Sequence, residues 1–502
     1  MKRNDSLFIL IRSLSKSEKR FFKIYSERHV IGDQNNYVAL FDTIDRQKTY
    51  NEEAIIKKFA DRKFARRLPV AKNYLYELIL KSMNQYHAQN SIDAQLRELL
   101  SNVQFLYNKG LFDQAEKAIV KAKRMAADYE KLSVIPDILY WQKKIMEAQS
   151  YLGNMEGELN EIYNEQTTTA NQLQNLNEYW FLQAQMYYQH THKGMLRRRQ
   201  DLDKIEQLIA HPLLQNEALA QTFESKLLLY KIHSTYHFIA RNLEQCYVYS
   251  QKTVELLQSR PELLHLDPLN YINSLNNLLN IIGVLGKDTE RQQYIERLKN
   301  MLHSKAFETP ERVQVKIKLF EAYYYHLMTW HISQNTFANC LSDVLDMEQK
   351  MQQYDDQLDQ MGRTMLCFYA FHIAFGSQKY EYSYQWLQKI VDEDRSQIRQ
   401  DIYDFAQILQ LVAAYEMGNL TILRQKIRAI YKFLLKKERV YQSETLLAQW
   451  LKKMARSSKA DAPKLWQYFT EQLNQLLLDP QEKRILAYFD FSRWLNDKVV
   501  KM

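Results

Sequence analysis

The apolar positions of this chain fall into helical faces separated by polar turns. The first is short, Leu7-Phe-Ile-Leu-Ile11, and closes at Arg12. Ser15-Lys-Ser-Glu18 then reads as a capping box: the serine hydroxyl accepts from the amide three residues on, and Glu18 reaches back. The helix it opens carries Phe21, Phe22, Ile24 and Tyr25 and fades by His29. The polar run Gly32-Asp-Gln-Asn-Asn36 predicts a loop, and Tyr37-Val-Ala-Leu-Phe41 begins another helix. A second box, Thr49-Tyr-Asn-Glu52, predicts a third helix through Ile55 and Phe59. Pro69 closes a basic connector, and residues 70–89 place Leu75, Leu78, Ile79 and Met83 on one face of a fourth. Residues 1–90 are therefore expected to form a small helical bundle with its own core.

Beyond it the pattern repeats. Leu106-Tyr-Asn-Lys-Gly110-Leu-Phe-Asp-Gln-Ala115 through Ala122 reads as a helix end, a turn at Gly110 and a second helix running back. Glycine takes positive φ without a steric penalty, so a helix can stop there within one residue. Gly153 follows after 43 residues, Gly194 after 41, Gly286 after 92, Gly376 after 90 and Gly418 after 42. The two skipped turns fall at Ala240-Arg-Asn-Leu and Ile332-Ser-Gln-Asn. Six of only ten glycines thus sit on one ladder, which predicts helix pairs with turns near 110, 153, 194, 241, 286, 333, 377 and 418.

In the second helix of the first pair, Ala115 and Ala122 are small and Ile119 between them is large. This order of sizes resembles the tetratricopeptide repeat, in a degenerate form with units about ten residues longer than the family's 34. Helices of about 18 residues, each some 27 Å long, account for the extra length. Cys246 with Thr253, and Ser383 with Leu387 and Ile390, keep the same size logic. The resemblance implies an all-α, right-handed superhelical array of antiparallel helix pairs over residues 91–456. Residues 457–502 are expected to cap it: Asp461-Ala-Pro463 opens a helix to Leu478, and a last helix carries Ile485, Phe489, Phe491 and Trp494.

Composition supports the all-helical reading, because 10 glycines and 8 prolines in 502 residues are far too few for sheets joined by tight turns. No run of eighteen apolar residues exists, so no membrane span is expected. Cys246, Cys340 and Cys367 are widely spaced and odd in number, which suits buried thiols in a reducing cytoplasm. The formal charge of +9 is uneven: residues 1–100 hold 19 Lys and Arg against 12 Asp and Glu, leaving +2 for the rest.

The chain offers no phosphate-binding glycine loop, no Gly-x-Ser-x-Gly elbow and no His-Glu-x-x-His. No catalytic residue, cofactor or metal site is assigned, and His190-Thr-His192 reads as a solvated turn. The reading is a non-enzymatic scaffold or adaptor that binds a protein or peptide. Asn273, Asn276 and Asn280, spaced by three and four, line one face of a leucine-rich first helix. An amide both donates and accepts, so it can pair with an extended peptide backbone of any sequence. Lys231 and Phe238, one unit earlier, add a charge and a ring. Of the 34 tyrosines, clusters such as Tyr187-Tyr188 and Tyr323-Tyr-Tyr325 read as packing or as peptide contacts. The alternative is a partner-sensing regulator whose basic segment, Lys57, Lys58, Arg62, Lys63, Arg66, Arg67 and Lys72, contacts nucleic acid.

Overall fold

The computed structural model describes residues 6–29, 36–47, 49–59, 67–87, 91–151, 155–193, 199–304, 312–354, 357–393, 400–434, 442–457, 461–479 and 482–499. Among them every regular element is helical. The chain divides into two compact units: Met1–Ser274 with Thr309–Arg312, and Leu275–Glu308 with Val313–Met502.

The first unit opens with α1 (Ser6–Ser13), α2 (Lys16–His29), α3 (Asn36–Asp45), α4 (Glu52–Lys58) and α5 (Leu68–His87). Leu7, Ile11, Phe22, Phe41, Ile55, Leu75 and Ile79 share one core. The Ser15–Glu18 box forms as expected, with the Ser15 amide donating to Glu18 Oε2 at 2.7 Å and the Glu18 amide to Ser15 Oγ at 3.2 Å. The second box does not. Asn51 caps α4 by accepting from the Ala54 amide at 3.0 Å, and Glu52 pairs with Lys72 instead. Asparagine is the stronger cap, and it shortens the helix by starting it later.

Then come α6 (Ile92–Asn108), α7 (Phe112–Asp128), α8 (Ile135–Ala148), α9 (Met155–Lys193), α10 (Arg199–Ile209), α11 (Pro212–Gln215), α12 (Phe223–Ile239), α13 (Leu243–Gln258), α14 (Pro261–Leu266) and α15 (Pro268–Leu285), inside which the two units meet in sequence. α6 packs on α7, α7 on α8, α9 on α12 and α12 on α13. Ala115, Ile119 and Ala122 are all buried, as their sizes implied. One pair is missing. Between the expected turns at Gly153 and Gly194, both outside the described residues, runs the single 39-residue α9, about 59 Å long. Its sequence holds no proline and no glycine after Gly157, so nothing stops it. His190 and His192 accordingly lie in its last turns, and their side chains are outside the described residues.

The second unit continues with α16 (Asp288–Leu302), α17 (Val313–Gln334), α18 (Leu341–Gln353), α19 (Gln360–Gly376), α20 (Tyr380–Val391), α21 (Gln400–Glu416), α22 (Leu420–Leu434), α23 (Gln442–Met454), α24 (Ala462–Leu476) and α25 (Phe491–Val499). Adjacent helices pair along it: α16 with α17, α19 with α20, α21 with α22, α23 with α24. The expected last helix is split, because Ile485 lies in a 3₁₀ turn and Phe489 precedes α25.

The turns explain the glycine ladder. Gly110, Gly286 and Gly418 have φ of 72°, 67° and 68°. At the first, the Leu111 amide donates to the Leu106 carbonyl at 3.0 Å and the Gly110 amide to the Tyr107 carbonyl at 2.9 Å, a Schellman closure. The same pair of bonds closes the turns at Arg241, Asn335 and Gln378, which take φ of 58°, 59° and 59° without being glycine. Gly376 is on the ladder for another reason. It ends α19, and a Cβ there would stand 2.3 Å from the ring of Phe337.

Candidate functional site

On α15 the leucine face is buried, with Leu275, Leu278 and Leu279 wholly enclosed. Asn273 is exposed, whereas Asn276 and Asn280 are half-buried. Asn276 Oδ1 accepts from His326 Nε2 at 2.9 Å, and Asn280 Oδ1 from the Tyr325 hydroxyl at 3.2 Å. Both partners stand on α17, which covers the Asn276 and Asn280 part of a face that reads as solvent-facing in the sequence. Beside them Arg291 is buried against Gly283, donating to Thr329 Oγ1 at 2.8 Å.

Lys231 is half-buried and donates to Asn270 Oδ1 at 2.6 Å; burial lowers its pKa. Phe238 is exposed. Lys72 is held by Glu52 at 2.7 Å, and Lys58 donates to Thr43 Oγ1 at 2.9 Å. Lys57, Lys58 and Arg67 are exposed, and Arg62, Lys63 and Arg66 lie outside the described residues.

The aromatic clusters separate cleanly. Tyr323, Tyr324, Phe368 and Phe371 are core residues. On α9, by contrast, Trp180, Phe181, Tyr187 and Tyr188 are 57%, 55%, 54% and 56% exposed. Spacings of three, four and seven put Trp180, Phe181, Ala184, Tyr187 and Tyr188 along one broad stripe of that helix. The doublet Tyr187-Tyr188 was visible in the sequence. Which doublets are exposed was not, because Tyr323-Tyr324 has the same local pattern.

The second unit also contains a cavity of about 250 Å³. Its walls come from α19, the turns after α17 and α19, and the C-terminal segment, with Phe337, Phe368, Phe375, Phe489 and Trp494 among them. That segment is anchored at several points. The Glu482 carboxylate accepts from the amides of Gln442 and Ser443 at 2.9 and 3.0 Å, at the start of α23. Tyr488 stacks on Phe405 at 4.0 Å and donates to Asp401 at 2.7 Å, and Trp494 Nε1 donates to Glu416 at 2.8 Å. The imidazole of His372 packs against Phe368 at 4.9 Å and Phe489 at 6.0 Å, and desolvation lowers its pKa to about 4. Nothing in the sequence marked this site, since its walls come from residues 332–380 and 486–494.

Comparison with family models, curated proteins and solved structures finds no match. Among the described residues no group of three or more His, Cys, Asp or Glu side chains is placed to hold a metal ion, and no helix is long and apolar enough to cross a membrane. The three cysteines are free and buried, and burial pushes the Cys340 and Cys367 thiols up to about 12.

Proposed function

We propose that this chain is a non-enzymatic, cytoplasmic scaffold or adaptor of the tetratricopeptide-like kind, whose helix pairs wind into a superhelical array and bind a protein or peptide. The observation that carries this reading is the stripe of Trp180, Phe181, Tyr187 and Tyr188 on α9, four large rings each more than half exposed within nine residues. Contiguous exposed apolar surface of this kind marks interaction sites, and interface cores are enriched in tryptophan, tyrosine and phenylalanine. The recurring Schellman-closed turns support the repeat reading, since one local device ends helix after helix. Exposed Asn273 and Phe238 are further polar and aromatic groups for such a partner.

The test is selection of a displayed random-peptide library on the full chain. Enriched peptides are then titrated against a Trp180→Ser, Phe181→Ser, Tyr188→Ser variant. Loss of exposed rings that anchor a partner costs about 1 kcal/mol or more each, so affinity should fall at least about tenfold. A library that yields no enriched sequence, or peptides that bind the variant as well as wild type, overturns the proposal.

A further inference from the structure

The cavity beside the C-terminal segment has three properties that together specify an occupant. The first is size. A cavity of about 150 Å³ admits benzene, so the 250 Å³ here suits one phenyl, phenol or indole ring.

The second is its lining. Phe337, Phe368, Phe375, Phe489 and Trp494 offer faces and edges, as in the edge-on contact of Phe375 with Phe489 at 5.2 Å. Aromatic rings favour such offset and edge-to-face partners. His372 adds no charge at neutral pH, because its pKa lies near 4.

The third is its rim. Asn335 and Gln378 both line the cavity, and both are exposed residues in the left-handed region, at φ 59°. Equivalent turns at Gly286 and Gly418 use glycine, the residue without strain in this conformation. The turn at Arg241, which does not line the cavity, is also not glycine, but the two at the cavity carry side-chain amides, which donate and accept together. Asp490 and Arg493 place one charge of each sign on the same cavity, with the Arg493 guanidinium 4.7 Å from the centre of the Phe337 ring. A rim of two amides and two opposed charges is complementary to a peptide backbone, whose own groups donate and accept in alternation.

We infer that the cavity takes a single tryptophan or phenylalanine side chain of an extended peptide, with Asn335 and Gln378 pairing to the backbone on either side of it. This rests on the peptide-binding reading above and names the side chain that this cavity of the second unit selects.

The experiment uses the full chain and three blocked amino acids, N-acetyl-tryptophanamide, N-acetyl-phenylalaninamide and N-acetyl-alaninamide, followed by saturation-transfer NMR. The aromatic pair should bind saturably, with Kd on the order of 1 mM as suits ligands of this size, and the alanine compound at least tenfold more weakly. Leu486→Trp, which fills the cavity from its wall, should abolish the difference. Asn335→Gly with Gln378→Gly should lose several-fold in affinity while melting no lower than wild type, because it removes the rim amides and relieves the backbone. Equal binding of all three compounds overturns the inference, as does undiminished binding by either variant. Peptides from the library that bind Leu486→Trp as well as wild type would show that their aromatic residues do not enter this cavity, which also overturns it. Aromatic-selective binding that Leu486→Trp removes, from a chain that enriches no library peptide, would uphold the ring pocket and refute only the adaptor reading.

Discussion

His326, on α17, donates its Nε2 proton to Asn276 Oδ1 at 2.9 Å, and the imidazole is almost wholly enclosed. Asn276→Ala would leave that donor without its acceptor. A buried group deprived of its partner costs about 1–3 kcal/mol. Asn273→Ala, three residues earlier on the exposed face, should cost less than about 0.5 kcal/mol. Chemical denaturation of the two single variants checks this, and equal effects would contradict the assignment.

The same histidine makes stability depend on acid. Burial depresses His326 to about 3, with the nearby Arg291 charge adding to the effect, and His372 to about 4. Their unfolded values are near 6.5. Lowered folded values mean that the unfolded chain binds more protons, so stability is fully present above about pH 6.5 and falls as pH drops toward 3–4. Each group contributes a slope of up to about 1.4 kcal/mol per pH unit within that window. Denaturation midpoints from pH 7.5 to 4.5 should fall, and less steeply in His326→Gln.

Two glycines on the ladder should fail for different reasons. Gly376→Ala drives a methyl group into the Phe337 ring, an overpacking that costs about 1–3 kcal/mol. Gly110→Ala meets no atom but must hold φ of 72°, costing about 1 kcal/mol. Trimming Phe337 to Leu should recover part of the first loss and none of the second, a difference that a double-mutant cycle reads directly.

Arg241 is the converse case: an exposed non-glycine residue at φ 58°. Arg241→Gly should raise stability by about 0.5–1 kcal/mol, the strain relieved less the entropy given to the unfolded chain. A lowered melting temperature would mean that the arginine side chain contributes more than its backbone costs.

Glu482 caps α23 from 39 and 40 residues away, with a further bond from Ser443 Oγ at 2.7 Å. Glu482→Ala strands those amides and should cost about 3 kcal/mol, whereas Glu482→Gln, which still accepts, should cost less. Proteolysis of the C-terminal segment should rise in the alanine variant first.

What the sequence by itself determined is what acts over a few residues. Helices follow from spacings of three and four. Gly110, Gly286 and Gly418 end helices because of their own backbone freedom, and the Ser15–Glu18 box closes within three residues. The burial of Ala115, Ile119 and Ala122 was legible because size order on a helix face requires a close neighbour.

Only the tertiary structure decided which polar and aromatic faces stay open. Asn273 and Asn276 share a residue type and a helix, yet α17 covers one and not the other, through a partner 50 residues away. Tyr187-Tyr188 and Tyr323-Tyr324 read alike, and packing buries only the second pair. The cavity depends on rings more than a hundred residues apart, from Phe375 to Phe489. Local preference fixes where a helix starts and stops, but burial is set by whatever the rest of the chain lays against it.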